Sequence, residues 1–255
     1  MKKTKDLSKS IAGTYFSLRI GLGIIAFTFP ILLWLGGQFL AHVPLQGSIS
    51  AYYHATMQSL ANPWTAVSPA GQGAMRDLFV GILFAVGMIL LLYQGVTKPE
   101  DYALNLAGFL AFGIALFPTQ WPGSSEQAAK LHQVFAILFF VCIGYVAVFR
   151  ARDTLSLIPD KATQERYKRQ YRILGIAMFG CPLLAYILAW VPALSHYKLF
   201  IIEVAGLWAF GAYWFIKTRE LEKTDFDQKA AEGRIYVEPH GLRDAVGRIQ
   251  LQEKK

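Results

Sequence analysis

Residues 77–95 read DLFVGILFAVGMILLLYQG. After Asp77 the stretch carries no charge, and it is far longer than the apolar run of a core strand. A helix needs about 20 such residues to cross the hydrocarbon of a bilayer. Five further windows have the same character, at 17–40, 103–118, 131–149, 173–191 and 199–216. The window at 103–118 is short for a span, so its helix is expected to extend a few residues at one end. Composition agrees with this reading: 54% of the 255 residues are hydrophobic and only 16% are charged, whereas soluble domains carry about a quarter charged residues. The expected fold is all-α, a polytopic bundle of six transmembrane helices over residues 1–216, followed by a polar tail over 217–255 with a short helix near 241–250.

Charge placement orients the bundle. Lys and Arg collect on the cytoplasmic side of membrane proteins. Of the 25 here, only Arg76, Lys130 and Lys198 fall on the side opposite the two termini, with Arg19 inside the first span. Both termini are therefore expected in the cytoplasm, and the membrane is expected to be the plasma membrane, the inner membrane of a bacterium. The net charge of +8 is the footprint of this orientation. No basic groove interleaved with aromatic residues points to nucleic acid. The basic, then apolar N-terminus resembles a signal peptide, but its apolar run is too long for a signal core, so it reads as a retained first span. Trp34, Trp64, Trp121 and Trp190 fall near the outer interface, where indole rings prefer to sit. Ala103, Ala107, Ala111 and Ala115 form a small-residue stripe for close helix packing, and Pro182 is expected to kink the fifth span. Cys142 and Cys181 lie in apolar stretches and read as free thiols.

This topology gathers the chain's polar chemistry on one side. The outer connection after the first span contains Ser48, Ser50 and His54, Asp77 opens the second span, His132 opens the fourth, His196 lies in the last outer loop, and Glu203 sits about one turn into the sixth span. The inner halves hold few such groups, Asn105 being one. An ionisable side chain in hydrocarbon costs about 2.5–3.5 kcal/mol on insertion scales, so Glu203 should face the bundle and find a partner there. His54, His132, Asp77 and Glu203 are candidate ligands for a divalent metal, and their types suit Zn2+. A bound zinc would generate hydroxide near neutral pH. Asp77 or Glu203, whichever is not a ligand, would act as general base, and Ser50 would orient or stabilise the reacting group.

Ser50-Ala-Tyr-Tyr-His54 has the form S-x-x-x-H, and with the later Asp77 and His132 it resembles the transmembrane-hydrolase superfamily of alkaline ceramidases and adiponectin receptors. That resemblance implies zinc held by His54 and His132, a supporting Ser50 and Asp77, and cleavage of lipid amides. The group's H-x-x-x-H pair has no counterpart, because Ala136 stands four residues after His132. The six spans, the Ile49-Ser50 pair after the first, the R-D-L-F start of the second and the His132, Ala136, Phe140 series in the fourth resemble the Frag1/DRAM/Sfk1 group and related bacterial membrane proteins. That resemblance implies lipid or lipid-anchor handling without a defined chemistry.

Two functions follow as expectations. One is a metal-dependent hydrolase of lipid amide or ester bonds. The other is a non-catalytic lipid-binding or assembly protein whose outer polar groups form a hydrogen-bonded plug. In both, membrane lipids are the partners. A transporter would favour repeats and broken helices, and haem would want paired histidines at matched depth; neither pattern stands out. The orientation has a direct test: a reporter fused after Lys255 should be active only when the reporter is one that works in the cytoplasm, and activity only outside would reverse the bundle.

Overall fold

The computed structural model describes residues 7–54, 73–120, 125–189, 197–237 and 251–253. Trp64, Trp121, Trp190, His196 and the expected helix near 241–250 lie outside the described residues. The elements are α1 (Leu7–Phe39), a 3-10 segment (Ser50–His54), α2 (Ala74–Leu92), α3 (Lys98–Leu116), α4 (Glu126–Tyr145), a π turn (Val146–Arg150), a second 3-10 segment (Asp153–Leu157), α5 (Lys161–Ala189), α6 (Lys198–Lys223), α7 (Phe226–Ala231) and a small antiparallel pair, β1 (Ile235–Val237) with β2 (Leu251–Glu253). Each helix from α2 to α6 packs against the next in sequence, and α1 packs against both α2 and α6. The bundle is a closed ring. Its end remote from the two chain termini is termed outer, and the other end inner.

Each of the six apolar windows falls on one helix of this ring. Among the described residues, four helical stretches are long and apolar enough to cross a membrane: Leu7–Phe39, Ala74–Leu92, Glu126–Leu157 and Lys198–Lys223. The chain is thus a helical protein of membrane type. α3 begins with Lys98, Glu100 and Asp101 in its first turn, and α5 begins with a basic half containing Lys161, Arg166, Lys168, Arg169 and Arg172. These charges dilute the apolar character of both helices. α1, at 33 residues, is about 50 Å long by its rise per residue, more than the ~30 Å of hydrocarbon requires.

Local chemistry sets the helix ends. Ser125 caps α4 by accepting from the Ala128 amide, and Asp160 accepts from Ala162 and Thr163 at the start of α5. Pro99 stands in the first turn of α3, where its missing N–H costs nothing. α1 ends through His42 in the left-handed region, at φ 52°. α5 continues through Pro182 to Ala189.

Packing of α2 on α3 depends on small residues. Ala107, Ala111 and Ala115 are fully buried. A Cβ at Gly108 would lie 2.7 Å from the Gly87 carbonyl oxygen, and one at Gly87 would lie 2.9 Å from the Gly108 carbonyl oxygen. Backbone meets backbone at this crossing, so no side chain can give way. At Gly81, on the same α2, a Cβ would meet nothing within 4 Å.

The segment after residue 216 is less separate than its polarity suggests. α6 runs on to Lys223, with Lys217, Thr218, Glu220 and Leu221 buried. Asp227 of α7 then reaches back to Arg19 of α1. The hydropathy window ends at 216 because charges begin there, but Lys217 and Glu220 point into the bundle and pair with each other within it.

Gly108→Ala should cost about 1–3 kcal/mol of stability through overpacking, measured by unfolding in detergent, while Gly81→Ala should be neutral or stabilising by up to about 1 kcal/mol. Equal effects at the two sites would deny the close crossing.

Candidate functional site: an outer cavity between α1, α2, α4 and α6

Residues 41–54 fold back over the end of the bundle. Val43 N–H donates to the Gly37 carbonyl (2.8 Å), and Phe200 N–H, in the first turn of α6, donates to the Gly47 carbonyl (2.9 Å). Tyr52 is fully buried and lies against Gly37, where a Cβ would come within 2.8 Å of its ring. Ser48 Oγ accepts from the Ala51 amide at 3.0 Å and starts the 3-10 segment. The stretch is thus a wall of the bundle and not a solvated loop.

Behind this wall is a cavity of about 240 Å³. Its apolar lining includes Phe29, Phe79, Leu83, Phe139, Phe140 and Leu207. Its polar lining is Ser48, Ser50, Thr119, His132, Gln133 and Glu203. Ligand sites have this composition: mostly apolar walls with a few convergent polar groups.

His132 is 3% exposed and has both ring nitrogens engaged. Nδ1 is 2.7 Å from the Phe117 carbonyl oxygen, and Nε2 is 3.0 Å from Ser50 Oγ. A carbonyl only accepts, so Nδ1 carries the proton. In the neutral ring Nε2 is then an acceptor, and the Ser50 hydroxyl donates to it. The Phe117 carbonyl lies just past the end of α3, where helix carbonyls lack intrahelical donors. The same stretch takes a second histidine: His54 Nε2 is 2.8 Å from the Thr119 carbonyl oxygen. Burial is the main influence on His54 and lowers its pKa, with the Thr119 contact opposing it.

Glu203 projects from α6 to the same wall. Its Oε2 accepts from the Ile49 amide at 2.5 Å. Ser50, His132 and Glu203 therefore meet at one end of the cavity, with His54 on the adjoining carbonyl. Asp77 does not join them. Its side chain is 74% exposed beside Arg76, at 3.6 Å. In α2 the inward positions are Met75, Phe79 and Leu83, and Asp77 is about 200° round the helix from either of its inward neighbours.

A zinc site needs three or four ligating side chains with free lone pairs. Among the described residues no three His, Cys, Asp or Glu side chains form such a group. His132 would have to release Ser50 or Phe117 to bind a metal, and Glu203 would have to release the Ile49 amide. As arranged, His54, His132, Asp77 and Glu203 do not fit zinc.

Sequence reasoning passed over the opposite end of the bundle. There Lys217 Nζ donates to the Ala151 carbonyl (3.0 Å), Thr154 Oγ1 (2.6 Å) and Glu220 Oε2 (2.9 Å), and Tyr171 and Thr154 hydroxyls donate to Glu220 at 2.5 Å. Arg150 pairs with Asp153, and Arg19 pairs with Asp227 and Tyr93 Oη. The signal was the i, i+3 spacing of Lys217 with Glu220 and of Arg150 with Asp153, just beyond the apolar windows. These groups are packed against one another and satisfy each other's charge.

No family model, curated protein or solved structure matches this chain.

His54 supplies a pH test. Its folded pKa lies below the unfolded value of about 6.5, so its neutral form stabilises the fold above that value, and this contribution is lost as pH falls through it. The unfolding midpoint should fall between about pH 7 and pH 5, and His54→Gln should lose part of that fall. Identical pH slopes in the two proteins would show that His54 does not titrate on unfolding.

Proposed function

We propose that this is a six-span membrane protein, with both termini in the cytoplasm of a bacterial cell, that hydrolyses an acyl bond of a lipid held in the outer cavity. The observation that carries the reading is the Ser50 Oγ to His132 Nε2 hydrogen bond of 3.0 Å on the wall of an apolar cavity. A serine is activated when a neighbouring base accepts its proton and a third group orients that base. Here the orienting group is the Phe117 carbonyl on Nδ1. The lipid chain lies among the phenylalanines, with an ester or amide carbonyl at the polar end. Ser50 Oγ attacks the acyl carbon while its proton passes to His132 Nε2. The bond to the alcohol or amine breaks, and His132 returns the proton to the leaving oxygen or nitrogen. Water, deprotonated by His132, then cleaves the acyl-serine and restores the hydroxyl.

Inward placement of the six apolar windows and the charge asymmetry support the topology, which puts the cavity on the outer side. A second reading, a lipid-binding protein without catalysis, is favoured by one observation: the Glu203 carboxylate and both His132 nitrogens are already hydrogen-bonded to the loops that close the cavity.

An activated-serine reagent of the fluorophosphonate class separates the two. Wild-type protein in nanodiscs should be labelled at Ser50. Ser50→Ala should show no label, and hydrolysis of an acyl-ester lipid should fall at least about a thousandfold in that variant. Chelators should leave labelling and hydrolysis unchanged; loss of both on chelation would favour the zinc chemistry. Unlabelled, folded wild-type protein that still binds lipid would leave the non-catalytic reading.

A further inference from the structure

Three carboxylates at the inner end have cations: Asp153 has Arg150, Glu220 has Lys217 and Asp227 has Arg19. Glu203 is different. Among the described residues no Lys, Arg or His stands within ion-pair distance of it, and no Lys or Arg lines the cavity. Its hydrogen-bond partner among the described residues is the backbone amide of Ile49. Glu100 also rests on an amide, that of Val96, but it does not line the cavity. A carboxylate inside an apolar bundle is costly unless paired. Glu203 is therefore an acidic side chain without a counter-charge on the wall of a cavity, where a ligand can bring one.

We propose that the cavity's ligand supplies it: an amphiphile with a protonated amine head, seated against Glu203, and an apolar chain among Phe29, Phe79, Leu83 and Phe139. Ser48 and Ser50 add hydroxyl oxygens to the lining of the same cavity, suiting the several N–H donors of an ammonium group. A phosphate head finds no cation there and meets Glu203 as a like charge. This inference rests on reading the cavity as a lipid site.

The test uses the full chain in neutral-lipid nanodiscs and three probes with one chain length: dodecylamine, dodecanol and dodecyl phosphate. Saturable binding is measured to wild-type protein, to Glu203→Gln and to Ala136→Phe, which fills the cavity from its lining. The amide side chain of Glu203→Gln keeps an oxygen for the Ile49 N–H, so the fold should survive, and the wild-type ranking of heads is informative without any variant. Dodecylamine should bind wild-type protein about tenfold or more tightly than dodecanol, as for a hydrogen bond to a charged group, and dodecyl phosphate should bind more weakly than dodecanol. In Glu203→Gln the amine advantage should vanish while dodecanol binding stays. Equal binding of all three heads, or an amine preference unchanged in Glu203→Gln, would overturn the amine assignment and leave the lipid site standing. If no probe binds wild-type protein saturably, or Ala136→Phe binds all three as well as wild type, the lipid site itself falls.

Discussion

One constraint governs the outer half of this protein: polar groups enclosed in an apolar bundle must have partners, and here the partners come from backbone. The Ile49 amide meets Glu203, the Phe117 carbonyl meets His132, and the Thr119 carbonyl meets His54. The unmatched carbonyls past α3 and the amides of the turn after α1 satisfy three ionisable side chains from three other elements. Each unsatisfied group would cost about 1–3 kcal/mol, and more for a charge. These bonds hold residues 46–54 against the helices, and in doing so they shape the cavity and bring Ser50 to His132. Closure and reactive geometry have one cause.

The two ends of α6 solve the problem of buried charge differently. Glu203, Gly206, Phe210, Tyr213, Lys217 and Glu220 follow one another at three- and four-residue steps and share a stripe facing the bundle. At the inner end the stripe carries Lys217 with Glu220, tied to the 150–154 turn and to Tyr171. Such a pair gains little over an apolar core, but removing one partner costs about 3–5 kcal/mol. It therefore fixes how α5, α6 and the π turn fit together. At the outer end the same stripe meets a cavity, and the acid faces it without a countercharge. The inner end is built to be closed, and the outer end is built to hold something.

Much of this was legible in the chain. Long apolar windows located the helices because hydrocarbon tolerates few charges over ~30 Å. Glu203 and His132 stood out because ionisable groups near hydrocarbon are rare. Ser50 stood out by its place beside a span. Asp77 misled because depth was read without azimuth: its place at a helix start says nothing about facing, whereas the phase of Met75, Phe79 and Leu83 sends it outward. The same phase argument applied to α6 would have drawn Lys217 and Glu220 inward with Glu203. The Phe117 and Thr119 carbonyls were out of reach, since backbone partners contributed by distant turns leave no mark in residue type. Zinc was inferred from a set of ligand types; in the structure His54, His132 and Glu203 hydrogen-bond to backbone, and His132 also to Ser50.

Glu203 clamps the turn after α1 into the bundle, and the Ile49 amide reports it directly. Glu203 is the acceptor for that amide, so its hydrogen exchange depends on a side chain 154 residues away in sequence. Exchange of residues 46–54 should be slow in wild-type protein and become fast in Glu203→Leu, with α3 and α5 unchanged. Fast exchange at Ile49 in the wild type, or slow exchange that survives Glu203→Leu, would contradict the account.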